Sequence, residues 1–156
     1  MPMQRSAVLV KPDGLQRGLI GEIICRFERK GLKLVGLKMT FLSDEQLSYW
    51  YMEHKDKPFF KLLKDFMQTH PIVAMVWEGV DAISTIRLLV GSTKSREAEA
   101  GSIRGDFGMS QQLNLIHASS SPADAEREIG ILFNADELYS YKTVLDGVIY
   151  ADFEAN

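Results

Sequence analysis

Four short apolar runs, SAVLV at residues 6–10, KLVGLKMTF at 33–41, PIVAMVW at 71–77 and NLIHA at 114–118, are separated by stretches with helical periodicity, and this alternation constrains the fold more than any other feature. In KLVGLKMTF, Val35, Leu37, Met39 and Phe41 alternate with Gly36, Lys38 and Thr40, the period of a half-buried strand. PIVAMVW is apolar throughout and of strand length. KPDG, with Pro in the second position and Gly in the fourth, reads as a turn after the first strand. The helix after it carries Leu19, Ile20, Ile23, Ile24 and Phe27 on one face and stops at Gly31.

Ser43 and Gln46 have capping-box spacing and open a helix whose Leu47, Trp50 and Tyr51 share a face. Pro58 opens another, with Phe59, Phe60, Leu62, Leu63, Phe66 and Met67 as its apolar stripe. DAISTIRLLV is a helix closed by Gly91, and Ser121 with Pro122 and Asp124 marks the start of one more. ADELYSY in the tail reads as a short helix. Residues 92–109 are polar and aperiodic, long enough to suggest a functional loop. The order β-α-β-α-α-β-α-β-α points to an α+β fold: a ferredoxin-like split βαβ core, a four-stranded antiparallel sheet covered by helices. A doubly wound parallel sheet is the alternative.

With 156 residues, 46% hydrophobic and 25% charged, the chain reads as a single domain over 1–156. A formal net charge of -3 argues against a general polyanion binder, so no nucleic-acid partner is expected and any phosphate site must be local. The single cysteine, Cys25, excludes an internal disulfide and a cysteine-built zinc site. The apolar run before Lys11 is too short for a signal peptide, and no stretch approaches the ~18 apolar residues of a membrane span. A soluble, cytoplasmic protein with no membrane partner is expected.

Two motifs are dismissed. GSTKS at 91–95 lacks the glycine that must precede the lysine of a P-loop, and RGD at 104–106 is a tripeptide without an adhesive context. His54, within EHKDK, and His70, before Pro71, read as loop or solvated residues. His117 differs, because it ends an apolar strand and Glu128 follows about two turns into the next helix. A carboxylate accepting one ring N–H fixes the tautomer and leaves the other nitrogen free to attack; a satisfied core histidine fits the residues as well. Lys11, Arg87 and Arg104 are scattered along the chain, and only convergence in space would make them a site.

Taken together, VKPDGLQRGLIGEIICRFERKG, KPFF, MVWEG, GSIRGDFG and NLIHAS closely resemble the nucleoside diphosphate kinase family, in order and spacing, from about residue 5 to residue 142. The resemblance implies the ferredoxin-like core and ping-pong transfer of a γ-phosphoryl group from a nucleoside triphosphate through a phosphohistidine. Mg2+ would arrive on the nucleotide's phosphates, with no protein ligand of its own.

By motif, the resemblance implies His117 as nucleophile, Glu128 and Ser119 holding its ring, and Lys11 and Tyr51 beside the transferring phosphate. Arg87, Thr93 and Arg104 would hold the outer phosphates, Asn114 the sugar hydroxyls, and Phe59 with Leu63 the base, with low base specificity. A homo-oligomer is implied too, a hexamer or alternatively a tetramer or dimer.

A nucleotide-sensing module of similar fold would need the cations and have no use for an oriented histidine, which favours the enzyme. The chain departs from the family pattern at Ser120, where an acid is usual, and at Lys94, Ser95, Ala100, Ser102 and Leu113. Loss of two prolines from the 91–107 segment should leave that loop freer.

Overall fold

The computed structural model describes residues 2–155. Four strands, β1 (Met3–Val10), β2 (Lys33–Thr40), β3 (Ile72–Val80) and β4 (Ile116–Ala118), form one sheet in the order β2-β3-β1-β4. Every pairing is antiparallel. The helices are α1 (Pro12–Gln16), α2 (Ile20–Lys30), α3 (Asp44–Trp50), α4 (Phe60–Met67), α5 (Ala82–Val90), α6 (Ile103–Phe107), α7 (Pro122–Leu132) and α8 (Asp152–Ala155). Because β3 lies between β1 and β2, and β1 between β3 and β4, two split βαβ units interlock. The ferredoxin-like reading is met and the parallel alternative is excluded.

Successive residues of β1 feed opposite faces of the sheet. Val8 and Val10 pack with Ile23 and Phe27 of α2 and Ile86 and Val90 of α5, whereas Ala7 and Leu9 pack with Leu47 and Trp50 of α3, Met67 of α4 and Leu132 of α7. Burial of whole Leu, Ile, Phe and Trp side chains at about 1.5–3 kcal/mol each holds the layers together. The helix signals act as read. Gly31 stops α2 in a left-handed conformation (φ 99°), Ser43 and Gln46 close a reciprocal capping box on α3, and Ser121 Oγ accepts from Asp124 N (3.1 Å) ahead of Pro122.

Four expectations change. KPDG opens α1, with Pro12 in the first turn, instead of forming an isolated turn. NLIHA contributes only Ile116–Ala118 to the sheet, because Leu115 takes a left-handed conformation (φ 74°) and delays the strand. ADELYSY gives a single 3-10 turn at Ala135–Glu137, and the chain beyond it is tied down by long-range contacts: Tyr139 N donates to Val35 O (2.8 Å) and Val80 N to the Tyr150 hydroxyl (3.1 Å).

In β2 the pairing register shifts between Leu34 and Gly36, which puts Val35 on the α7 side and Leu37 and Met39 on the other. The strand is therefore not buried along the expected face: Leu37, Met39 and Phe41 are all more than half exposed.

Candidate active site

The site grows from the segment that leads into β4. Leu115 is fully buried yet holds φ 74°, a conformation that costs an L-residue with a Cβ about 1–2 kcal/mol. Both sides of its peptide are fastened to the start of α1: Lys11 N donates to Leu115 O (2.9 Å), and Leu115 N donates to Asp13 Oδ2 (3.0 Å). Gly14 allows that approach, since a Cβ there would stand 2.7 Å from Leu115 O and 2.8 Å from a Val10 methyl. From the other direction the buried Arg104 guanidinium donates to Asn114 O (3.2 Å), Gly91 O (3.0 Å) and Ile116 O (2.6 Å). The strained residue is clasped between α1 and α6.

His117 follows, paired with Leu9 across the sheet. Its Nε2 lies 2.5 Å from Oε2 of Glu128, a buried carboxylate on α7. The edge of Trp50 meets its ring at 5.0 Å between centroids and 73° between planes. With Nε2 committed to Glu128, the lone pair is left on Nδ1. Ser119 is fully buried and continues the sheet by side chain: Ala7 N donates to its Oγ (3.0 Å), and Oγ lies 3.5 Å from Glu128 Oε2. Its firmer attachment is to β1, its weaker one to the carboxylate.

Against one side of His117 opens a cleft of about 220 Å³, lined by Lys11, Arg87, Thr93, Arg104, Asn114, Ala118 and Ser120. The three cations that the sequence scatters over 93 positions thus converge. Burial, and then the charge of Arg104, push the Lys11 amine down to about 8, while Asp13 opposes the shift. Arg104 is pushed down to about 10 by burial and by Arg87, again with Asp13 in opposition. Asp13 offsets only part of this crowding of positive charge, and the remainder favours an entering anion. Asn114 is a hub: its Oδ1 accepts from Lys11 Nζ (2.7 Å) and its Nδ2 donates to Thr93 O (3.1 Å) and Gln111 O (2.9 Å).

A second cleft of about 460 Å³ meets the same histidine and is lined by Trp50, Tyr51, His54, Ser120, Asp124, Arg127 and Glu128. Tyr51 shares this cleft with His117 and does not line the cleft of the three cations, and its hydroxyl is pushed up to about 12 by burial and by the charge of Glu128, so it stays protonated at neutral pH. His54, read as a loop residue, lies in a 3-10 turn at Met52–His54 that lines this cleft.

Phe59 and Leu63 line neither cleft: Phe59 is 47% exposed, with its ring 5.6 Å from that of His54, and Leu63 is half-buried in α4. The departing residues have defined places as well. Ser120 borders both clefts, Ser95 Oγ donates to Ser110 O (2.8 Å), and Ser102 caps α6 by accepting from Gly105 N (3.0 Å). Hydroxyls thus supply tethers in a loop that lacks the prolines.

The sequence reading missed Asp13, Trp50 as a ring neighbour, and the carbonyls that Arg104 grips. Asp13 lies two positions from Lys11 and Trp50 directly before Tyr51, so both stood close to residues already singled out. Among the described residues no group of three or more His, Cys, Asp and Glu could hold a metal ion. The donor set of the cleft, cations and amides, fits a metal carried by phosphate oxygens and not one held by side chains.

The family model for nucleoside diphosphate kinase matches residues 4–138. The chain belongs to the nucleoside diphosphate kinase family. The nucleoside diphosphate kinase of Archaeoglobus fulgidus is 49% identical over 150 residues, covering 96% of this chain and 99% of that one. That of Bacillus licheniformis is 51% identical over 148 residues, covering 95% and 100%.

Among solved structures, a halophilic nucleoside diphosphate kinase from Halobacterium salinarum in complex with CDP superposes with a TM-score of 0.93 at 45% identity, covering 96% of this chain and all of that one. A family member from Babesia bovis gives 0.92 at 49%, covering 94% and 99%. The enzyme is a nucleotide-binding phosphotransferase that passes the γ-phosphoryl group from a nucleoside triphosphate to a nucleoside diphosphate through a phosphohistidine. As a kinase of this family it works with a divalent metal ion. No helix among the described residues is long and apolar enough to cross a membrane.

Proposed function

We propose that His117 is the residue that carries the phosphoryl group, attacking through Nδ1. The observation that carries this reading is a histidine with one nitrogen bound to a buried carboxylate and three cations gathered in the cleft beside it. The Nδ1 lone pair forms a bond to the γ-phosphorus as the bond to the bridging β–γ oxygen breaks, and the diphosphate leaves with those electrons. Glu128 holds the Nε2 proton and stabilises the ring as it gains positive character. Lys11, Arg87 and Arg104 neutralise the triphosphate and the departing charge, with Thr93 as a further donor.

Magnesium on the nucleotide's phosphates supplies additional charge neutralisation. Asn114, which orients Lys11, borders the sugar, and Tyr51 lies on the other side of the histidine. Phe59 and Leu63 at the head of α4 offer an apolar surface to the base. A stacking surface without edge hydrogen bonds reads any base alike, which supports low base specificity. A single kinase domain over 1–156, working in the cytoplasm as a homo-oligomer, completes the reading. The exposed apolar face of β2 supports the last point.

The test uses γ-labelled ATP with magnesium and no acceptor, followed by GDP, on the native enzyme and on His117→Asn. Acid-labile label that appears on the native chain alone and then moves to GTP is the expected result. Label retained by His117→Asn would remove His117 from the reaction.

A further inference from the structure

The phosphoryl-transfer reading leaves one buried carboxylate without a task. Asp13 Oδ2 accepts from Leu115 N (3.0 Å), while its Oδ1 is buried without a hydrogen-bond partner. A buried carboxylate oxygen is rarely left in that state without compensation. Compensation is at hand in Lys11 and Arg104, since the charge of Asp13 is felt by both. Two independent features therefore meet at one side chain: the peptide that holds Leu115 in its left-handed conformation two residues before His117, and, among the described residues, the opposing charge that acts on both Lys11 and Arg104.

We infer that Asp13 is a positioning residue for phosphoryl transfer, pinning the Leu115 kink through its peptide N–H and balancing Lys11 and Arg104 so that the cleft waits fully charged for a polyphosphate. The two duties separate by chemistry. Asparagine keeps an oxygen able to accept from Leu115 N and loses the charge; alanine loses both. Beside Asn114 Oδ1, which accepts from it, the charged and titratable groups facing the Lys11 amine are Asp13 from α1, Arg87 from α5, Arg104 from α6 and His117 from β4. Asp13 is the only anion in that set, so its removal leaves the lysine among like or neutral neighbours and favours the uncharged amine.

The inference rests on the assignment of Lys11 and His117 above, and its test has a readout independent of turnover. Lysine 13Cε shifts followed by NMR against pH, without nucleotide, report the Lys11 midpoint. It lies near 8 in the native chain and should fall by roughly one unit in Asp13→Asn. In parallel, kcat/KM for ATP in Asp13→Asn should drop about fivefold at pH 8 and recover most of that loss near pH 6, where Lys11 is charged in both chains. Asp13→Ala should stay low at both pH values, because its Leu115 N–H has lost its acceptor.

A Lys11 midpoint identical in the native chain and in Asp13→Asn would overturn the inference. So would a loss in Asp13→Asn of the same size at both pH values, which would make Asp13 a folding residue only. If label fails to reach His117 but the midpoint still moves, the transfer assignment falls while the electrostatic duty of Asp13 stands.

Discussion

At the scale of single residues, function is bought with stability at Lys11. An amine pushed from 10.5 down to about 8 binds its proton less tightly in the folded chain than in the unfolded one. Below about pH 8 both states are protonated and the full cost of the charge is present; between about 8 and 10.5 the unfolded chain binds more protons, so rising pH relieves the cost and adds stability. The size is on the order of 1–3 kcal/mol. Replacing Lys11 by Met removes this term but strands Asn114 Oδ1, so the decisive measurement is a difference. In urea melts, the stability of the native chain relative to Lys11→Met should rise as pH increases from about 8 to 10.5. A constant difference would mean that the lysine is not desolvated.

Much at this scale was legible. His117 and Glu128 stand eleven positions apart, a strand end and the next helix, and both were marked before any fold was known. Spacing marks Arg104 only as one scattered cation and resemblance gives it a phosphate role, whereas its grip on three backbone carbonyls is visible only in the fold. Phe59 and Leu63 came from resemblance to a family motif, and the geometry leaves them outside both clefts that touch the histidine.

At the scale of elements, the KPDG helix and the segment before β4 behave as one unit. The α1 start holds Leu115 through one backbone bond, from Lys11 N, and one bond to the Asp13 carboxylate, and Gly14 lets the two segments touch. Gly14→Ala places a methyl within 2.7 Å of a carbonyl oxygen that cannot swing away without losing its bond to Lys11 N. We expect it to destabilise the chain by roughly 1–3 kcal/mol in urea melts and to slow labelling of His117 more than stability loss alone explains. Normal labelling in a folded Gly14→Ala chain would show that the kink does not aim the histidine.

Periodicity and capping signals located the strands and the helices α2, α3, α4, α5 and α7 on which the layers depend but misread this corner. A proline after a strand suits a turn and a first helical turn equally, and an apolar run cannot announce a left-handed leucine within it. The β2 bulge escaped for a similar reason: alternation assigns faces only while the register is unbroken, and one extra residue at Val35 reverses it.

For the whole molecule, the exposed edge matters. β2 ends the sheet order, its first residues are covered by the tail through Tyr139 N to Val35 O, and beyond them Leu37, Met39 and Phe41 face outward. An uncovered edge with an apolar face invites pairing with a second copy. If the proposed homo-oligomer forms through this edge, Met39→Lys should lower the sedimentation-equilibrium mass without unfolding the chain; an unchanged mass would remove β2 from any contact between copies. Sequence order pointed to the antiparallel α+β architecture but left a parallel sheet as the alternative, and the strand pairing decides between them. The partner of the β2 edge was not legible, because a monomer's pattern records which residues are apolar and not what covers them.

The cation-lined cleft beside His117 has a further consequence for how the enzyme sits among nucleotides. Donor and acceptor must occupy it in turn, so a diphosphate that arrives before the histidine is loaded blocks the next triphosphate. Throughput then follows the proportion of triphosphate to diphosphate summed over all the bases that can enter. The enzyme works as a leveller: it lets a surplus in any one nucleotide drain into the others until their charge states agree, and it slows itself when the whole pool runs down.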